Sequence, residues 1–187
     1  LTSLTPESAR RAARALKQGL RPQDLVSPEF DSLSPYERVR AAVANNIRLK
    51  GEVLLGDVPR EAGLARAVRM APADIIASIT SSGLRGCGGA GFPTGRKWEM
   101  AAREQAARRF VICNADEGEP GTFKDRVLLT ERPHLLFEGM TIAARAIGAR
   151  EGIIYLRGEY VYLRDHIDSV LNERRAAGLL AFRYRSR

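Results

Sequence analysis

The chain has 187 residues, with 30 Lys and Arg against 22 Asp and Glu, and a net charge of +8. This length suffices for one hydrophobic core with a helical extension, and no stretch reaches the roughly 18 consecutive apolar residues of a membrane span. Cys87 and Cys113 are too few for a metal–thiolate cluster or a disulfide framework, so they indicate reduced thiols. With no basic-then-apolar signal peptide at the start, these features favour a soluble cytoplasmic protein.

The positive charge is compatible with a nucleic acid, an anionic small molecule or an acidic partner surface. The basic residues are scattered along the chain and aromatic residues make up 6% of it. No segment therefore combines a basic run with interleaved aromatics, as a single-strand binder needs. We predict no nucleic-acid partner, and a phosphate-bearing ligand or an acidic subunit explains the charge at least as well.

Residues 1–50 have the pattern of a helical arm with a connector. Thr5-Pro6-Glu7 predicts a helix start that ends near Leu16 and Gly19, because it places a capping residue before a proline at the first helical position. Ser34-Pro35-Tyr36-Glu37 predicts a second start with a capping box. The proline-bearing stretch at 20–35 between them predicts a connector.

Residues 51–187 alternate between strand-like and helix-like segments. The first half contains a short strand EVLL at 52–55, a helix at 72–79 closed by Gly83, a helix at 97–107, and the apolar strand FVIC at 110–113. The second half contains a helix at 133–147 stopped by Gly148, the strand GIIYL at 152–156 and a helix at 160–177 stopped by Gly178. The two apolar strands are expected to be buried on both faces. This order predicts an α/β fold, a Rossmann-like parallel sheet with flanking helices, right-handed crossovers and ligands at the carboxyl ends of the strands.

The stretch GLRGCGGAGFPTG at 83–95 contains six glycines. Glycine permits positive φ and lets a ligand approach the main-chain N–H groups, and a helix start beside the run adds partial positive charge. The spacing is neither that of a dinucleotide fingerprint nor that of a Walker loop, since no Ser or Thr follows Lys97. A phosphate cradle and a simple tight turn both remain open from the pattern alone.

The stretch CNADEGEPGTFKDR at 113–126 follows the predicted strand FVIC directly. Asn114, Asp116, Glu117 and Glu119 thus lie at the carboxyl end of a parallel strand, where amide and carboxylate groups suit a heterocycle and sugar hydroxyls. A metal site is a poor alternative, because the loop lacks the oxygen-rich pattern of a calcium loop. A solvated acidic turn is the other alternative.

Three stretches closely resemble the NADH-binding flavoprotein subunit family: SGLRGCGGAGFPTGRKW, VICNADEGEPGTFKDRVLL and EGMTIAARAIGAREGIIYLRGEY. The family includes the peripheral-arm flavoprotein of respiratory complex I and the diaphorase subunits of NAD-reducing hydrogenases and NAD-dependent formate dehydrogenases. The resemblance covers about Asn45 to Leu180. It implies an FMN-containing NADH:acceptor oxidoreductase subunit, whose flavin takes a hydride from NADH and passes electrons to iron–sulfur clusters of partner subunits.

The resemblance also implies roles for individual residues. The FMN-binding residues are then Gly86, Cys87, Gly88, Lys97, Asn114, Asp116 and Glu117. The residues that bind NAD(H) are Gly89, Ala90, Gly91, Phe92 and Glu119. No side chain serves as a general base, because the flavin carries the chemistry, and the ligands of the family's [4Fe–4S] cluster are absent from this chain.

The chain departs from the family in three respects. Cys87 replaces a common arginine, Met100 replaces an aromatic residue of complex I relatives, and the family's ICGEE element, ubiquitin-like module and cysteine-rich domain are absent. We therefore expect the domain at 51–187 to be incomplete, and the isolated chain to be inactive or weakly active. A truncated, non-catalytic assembly or interaction fragment is the alternative function, and an unrelated phosphate-binding protein is a third.

Overall fold

The computed structural model describes residues 5–20, 32–45, 47–87, 89–180 and 183–186. It divides into two compact units, Leu1–Ala44 and Asn45–Arg187. The sequence-based division after residue 50 separates the chain by function, and that assignment stays a prediction. Most of the predicted connector, at 21–31, lies outside the described residues.

The first unit contains helices α1 (Pro6–Lys17) and α2 (Pro35–Ala42). Thr5 caps α1, since its hydroxyl accepts from Ser8 N at 3.2 Å. At α2 the capping box is complete: Ser34 Oγ accepts from Glu37 N at 3.3 Å, and Glu37 Oε2 accepts from Ser34 N at 2.8 Å. Both helix starts are as the sequence predicts, because a cap satisfies amides within one turn.

The second unit begins with helices α3 (Ala62–Ala67), α4 (Pro72–Ser81) and α5 (Thr94–Arg103). The prediction of a strand at 52–55 is wrong, because this segment forms a turn in which Leu55 N donates to Gly51 O at 3.1 Å. Helix α5 also starts three residues earlier than the pattern predicts and ends at Arg103.

The remaining elements form the α/β part of the unit. In chain order they are β1 (Phe110–Ala115), α6 (Lys124–Glu131), α7 (Pro133–Ile147), β2 (Glu151–Leu156), a 3₁₀ helix (Gly158–Leu163), α8 (Arg164–Ala176) and β3 (Arg183–Ser186). The strands pair in parallel in the order β1-β2-β3. The predicted α/β class is thereby confirmed.

Helix α7 has the predicted bounds, because both of its signals act locally. Proline occupies its first position and fixes φ there, while Gly148 ends it in the left-handed region at φ 71°. The predicted helix at 160–177 is instead the 3₁₀ turn followed by α8, with a break in helical geometry at Tyr160.

One part of the core lies where helix α7 packs on β1, β2 and α8. Phe137 and Leu163 are fully buried, and Ile154 and Ile167 are nearly so. The prediction that both apolar strands are buried on two faces is wrong: Ile112 is 62% exposed and Tyr155 56% exposed. Alternate residues of β1 and β2 face away from the two helices, and no described element covers them.

Candidate functional site

The glycine run forms a short hairpin between α4 and α5. An antiparallel bridge joins Arg85 to Pro93, and Gly86 N donates to Phe92 O at 3.0 Å. Thr94 N donates to Leu84 O at 2.9 Å, which closes the base of the hairpin. The run therefore projects its tip from two helix ends, and Gly88 of that tip lies outside the described residues.

Two glycines of the tip are required by backbone conformation. Gly89 has φ 115° and Gly91 has φ 63°, values that L side chains rarely adopt. A β-carbon at Gly89 would meet nothing within 4 Å, so packing is not the reason for glycine there. The tip keeps its backbone open to an approaching ligand.

A cleft of about 410 Å³ lies between this hairpin, α5 and the edge strand β1. Its lining includes five of the residues predicted to bind the cofactors: Gly86, Ala90, Gly91, Phe92 and Lys97. Helix α5 begins at this cleft and has no acidic residue in its first turn. Its amino-terminal partial charge and the Lys97 ammonium together favour an anionic group, such as a phosphate.

The polar residues after β1 occupy the carboxyl end of that strand. Asn114 is exposed on the same strand face as Ile112, about 7 Å further along the chain. Asn114 Oδ1 accepts from Asp116 N at 3.2 Å, and Glu119 is exposed at the start of a turn in which Thr122 Oγ1 donates to Glu119 O at 2.8 Å. These side chains do not line the 410 Å³ cleft; the outer face of β1 connects the two places.

Glu117 differs from its neighbours, because its side chain is turned into the protein. It is 3% exposed and has φ 47°, which is left-handed for a residue with a β-carbon. Its carboxylate accepts from Asp125 N at 2.7 Å and Arg126 N at 3.2 Å, both in the first turn of α6, and from the Tyr160 hydroxyl at 2.8 Å. Glu117 thus anchors the acidic loop, and its direct contact with FMN stays a prediction.

The electrostatics keep this anchor ionised. Burial raises the pKa of Glu117, but the hydrogen bonds from Asp125 N, Tyr160 and Arg126 N and the nearby Lys124 ammonium together hold it below the usual value. Burial and the hydrogen bond to Glu117 raise the pKa of Tyr160 to about 12. The Tyr160 hydroxyl therefore remains a donor and Glu117 a charged acceptor at neutral pH.

Sequence reasoning missed two residues of this arrangement, Arg157 and Tyr160. Arg157 NH1 donates to Glu117 O at 2.5 Å, and Arg157 N donates to Ala115 O at 3.1 Å. The available signal was topological: both residues follow β2 directly, and the carboxyl ends of neighbouring parallel strands meet at one edge of a sheet.

The two cysteines have different surroundings, and we expect different reactivity. Cys87 is exposed in the glycine hairpin, whereas Cys113 is partly buried in β1, where burial and the nearby Asp125 raise the pKa of its thiol to about 11. Because the thiolate is the nucleophile, a thiol reagent at pH 8 should modify Cys87 at least about tenfold faster. Labelling of Cys87→Ser and Cys113→Ser variants measures the two rates, and equal rates in the folded protein would contradict this.

Among the described residues, every helix is too short or too polar to span a lipid bilayer. In the same part of the chain, no three His, Cys, Asp or Glu side chains are grouped as metal ligands.

A glycine hairpin at a helix amino terminus, next to the polar end of a parallel strand, is typical of α/β nucleotide-binding proteins. The parts present fit a flavin mononucleotide: Lys97 and the start of α5 suit its phosphate, and Asn114 and Asp116 offer amide and carboxylate groups to its polar edges.

Residues 79–185 match the family model of the Nuo51 FMN-binding domain. The alpha subunit of the NAD-reducing hydrogenase HoxS of Cupriavidus necator is 46% identical over 180 residues, which are 96% of this chain and 30% of that subunit. A subunit of the NADH-quinone oxidoreductase of Aquifex aeolicus is 54% identical over 109 residues, 56% of this chain and 25% of that subunit. A crystal structure of air-oxidized NAD⁺-reducing [NiFe]-hydrogenase has a TM-score of 0.74 at 38% identity, over 98% of this chain and 31% of that chain.

The chain belongs to the Nuo51 FMN-binding domain family, since the family model matches more than half of the chain. The predicted family, its α/β fold and FMN as its cofactor are confirmed at this level. The chain spans about 30% of the length of the hydrogenase subunit it matches. The activity and partners of the longer relatives are therefore matters of proposal for this chain.

Proposed function

We propose that this chain is the FMN- and NADH-binding front portion of a diaphorase-type NADH:acceptor oxidoreductase subunit. FMN, when bound, supplies hydride acceptance from NADH and release of electrons one at a time. The observation that carries the proposal is the 410 Å³ cleft, in which Lys97 and the start of α5 adjoin a glycine hairpin with an open backbone. Iron–sulfur subunits of a multisubunit cytoplasmic complex are the proposed partners.

The residues that bind FMN have separate roles in this proposal. Lys97 and the α5 amides hold the phosphate, and the flavin lies beside Gly86, Cys87 and Gly88. Asn114 and Asp116 hold polar groups of FMN at the end of β1, and Glu117 fixes their loop.

The residues that bind NADH lie further along the hairpin and the acidic loop. The small residues Gly89, Ala90 and Gly91 let the nicotinamide nucleotide approach. Phe92, which is 46% exposed, stacks on this nucleotide, and Glu119 faces it. The protein thereby supplies binding and orientation, which determine whether the two rings reach reacting distance.

A second candidate is a non-catalytic interaction fragment of such a complex. The observation in its favour is the outer face of β1 and β2, which no element of the described residues covers and where Ile112 and Tyr155 are more than half exposed. The two residues are diagonal neighbours on adjacent strands, since Ile112 pairs with Ile153 and Asn114 with Tyr155, and exposed large side chains grouped in this way are typical of a contact surface. This candidate predicts the fold and the partner contact without flavin binding.

Titration of the purified chain with FMN, riboflavin and inorganic phosphate separates the candidates. The proposal predicts FMN binding with quenched flavin fluorescence, weaker binding of riboflavin, and slow reduction of ferricyanide by NADH once FMN is present. An interaction fragment binds none of the three flavin or phosphate probes. Equal affinity for FMN and inorganic phosphate would instead indicate a phosphate-binding protein and contradict the proposal.

Lys97→Ala should weaken FMN binding about 10- to 100-fold, because a charge-assisted hydrogen bond contributes about 1.5 to 3 kcal/mol. Arg96→Ala is the matched control: adjacent helical positions point about 100° apart, and Arg96 does not line the cleft. Fluorescence titration measures both. Riboflavin affinity should be unchanged in Lys97→Ala if the lysine contacts the phosphate, and a larger loss in Arg96→Ala would reverse the assignment.

A further inference from the structure

We propose that Tyr160 and Arg157 are positioning residues of the flavin site, which set the conformation of the acidic loop through Glu117. The inference rests on the proposed function, because it concerns how that site is held. Arg157 and Tyr160 follow β2, and they act on the acidic loop that follows β1.

Three hydrogen bonds from Arg157 and Tyr160 fix the acidic loop. Arg157 donates from its guanidinium to Glu117 O and from its backbone to Ala115 O, so it holds the main chain where β1 ends. Tyr160 donates to the Glu117 carboxylate at 2.8 Å. Main chain and side chain of one buried residue are therefore held by the same short segment, and Asp116 lies between the two points of attachment.

The backbone of Glu117 shows that the loop is held against its own preference. A left-handed conformation is unfavourable for a residue with a β-carbon, and Glu117 has φ 47°. Such a conformation persists only where surrounding contacts determine it. The contacts from Asp125 N, Arg126 N, Arg157 and Tyr160 do so here.

The conformation matters for the ligand because Asn114 and Asp116 lie just before Glu117 in the chain. Asp116 N is bonded to Asn114 Oδ1, so a change at Glu117 alters both side chains that face the proposed flavin. Tyr160 and Arg157 need not touch the ligand for this effect. Loss of the Tyr160 hydroxyl should therefore change flavin affinity and environment without unfolding the sheet.

Tyr160→Phe removes one hydroxyl and keeps the ring. Tyr162→Phe is the matched control, since it removes the hydroxyl of the neighbouring ring, which lies edge-on to Tyr160 with ring centroids 6.0 Å apart. In Tyr160→Phe, and not in the control, we expect faster amide exchange at Asp125 and Arg126 and about 5- to 10-fold weaker FMN binding. Because the Tyr160 hydroxyl acts through the Glu117 carboxylate, the double variant Glu117→Gln with Tyr160→Phe should bind FMN no more weakly than Glu117→Gln alone.

The pH dependence gives a readout that a purely structural role would not move. Losing the Tyr160 donor raises the pKa of Glu117, whose charge is then lost at higher pH on acidification. The acidic decline of FMN affinity should therefore begin at higher pH in Tyr160→Phe than in the parent chain. Among the described residues, the other titratable groups around this carboxylate are Lys124, Asp125 and Arg126 of α6, Asp116 and Glu119 of the loop, and Arg157 and Tyr162 after β2.

The measurements test two parts of the proposal separately. Unchanged amide exchange in Tyr160→Phe would show that the Tyr160 hydroxyl does not hold the loop. Faster exchange with parental FMN affinity and pH profile would show that the loop contact does not position the flavin site. Additive losses in the double variant show that Tyr160 acts other than through Glu117 and also overturn the positioning role. Failure of the parent chain to bind FMN overturns the proposed function instead, and is seen without any variant.

Discussion

Arg174→Ala is expected to lower the free energy of unfolding of the second unit by about 3 to 5 kcal/mol, as removal of one partner of a buried ion pair does. Arg174 is 1% exposed in α8. It forms a two-pronged pair with Glu61, with the NH2 to Oε2 distance at 3.0 Å, and also donates to His134 O at 3.3 Å. The substitution leaves the Glu61 carboxylate without its cation and opens a cavity under the helix.

Urea unfolding followed by the fluorescence of Trp98, the chain's one tryptophan, measures this loss. Arg175→Ala is the control on the same helix. Arg175 is exposed, and its side-chain hydrogen bond within the described residues goes to Asn172 Oδ1. The free energy of unfolding should therefore change by no more than about 0.5 kcal/mol. Glu61→Gln with Arg174→Met should recover part of the stability, because no buried charge is left unpaired. Equal losses at Arg174 and Arg175 would contradict the role given to the pair.

Gly95→Ala is expected to destabilise the second unit by about 3 kcal/mol, the upper part of the range for overpacking a core. A β-carbon there would overlap Thr80 Oγ1 and lie 2.7 Å from Thr80 Cα and 2.8 Å from Thr80 N. Helices α4 and α5 must therefore separate, and the glycine hairpin that joins them must move with them. FMN affinity should fall together with stability.

The control is Gly139→Ala in α7, where a β-carbon meets nothing within 4 Å. Alanine is a better helix former than glycine by about 1 kcal/mol, so this variant should be as stable as the parent chain or more so. Adding Thr80→Ala to Gly95→Ala should restore only part of the loss, since the contacts with the Thr80 backbone remain. Parental stability in Gly95→Ala, measured by urea unfolding, would show that the two helices are not in close contact.

The composition of the glycine run predicts its backbone conformation but not its packing. Its composition predicts a loop with positive φ angles, and Gly89 and Gly91 have them. Composition could not distinguish these from Gly95, whose reason is the close approach of Thr80 in the preceding helix. The predicted roles of the run in binding FMN and NADH stay predictions, whereas Lys97 and Phe92 do share one cleft with it.

The acidic loop shows a different limit. The sequence places Asn114, Asp116, Glu117 and Glu119 at the end of β1, and the structure has them there. The sequence gives no sign that Glu117 is turned inward, because its three donors come from α6 and from Tyr160, which is 43 positions away. Four neighbouring polar residues therefore look alike in sequence and divide in the structure into one anchor and three accessible groups.

By itself the sequence determined the family, the α/β class, the starts of α1 and α2, and both ends of α7. Caps, prolines and glycines act on amides within one turn, so their effect can be derived from neighbouring residues alone. The tertiary structure alone decided that 52–55 is a turn, that no described element covers one face of β1 and β2, and that Glu117 anchors its loop. Burial and hydrogen bonding of these segments depend on α6, α7, α8 and the segment after β2, whose positions are fixed by packing over long separations in the chain.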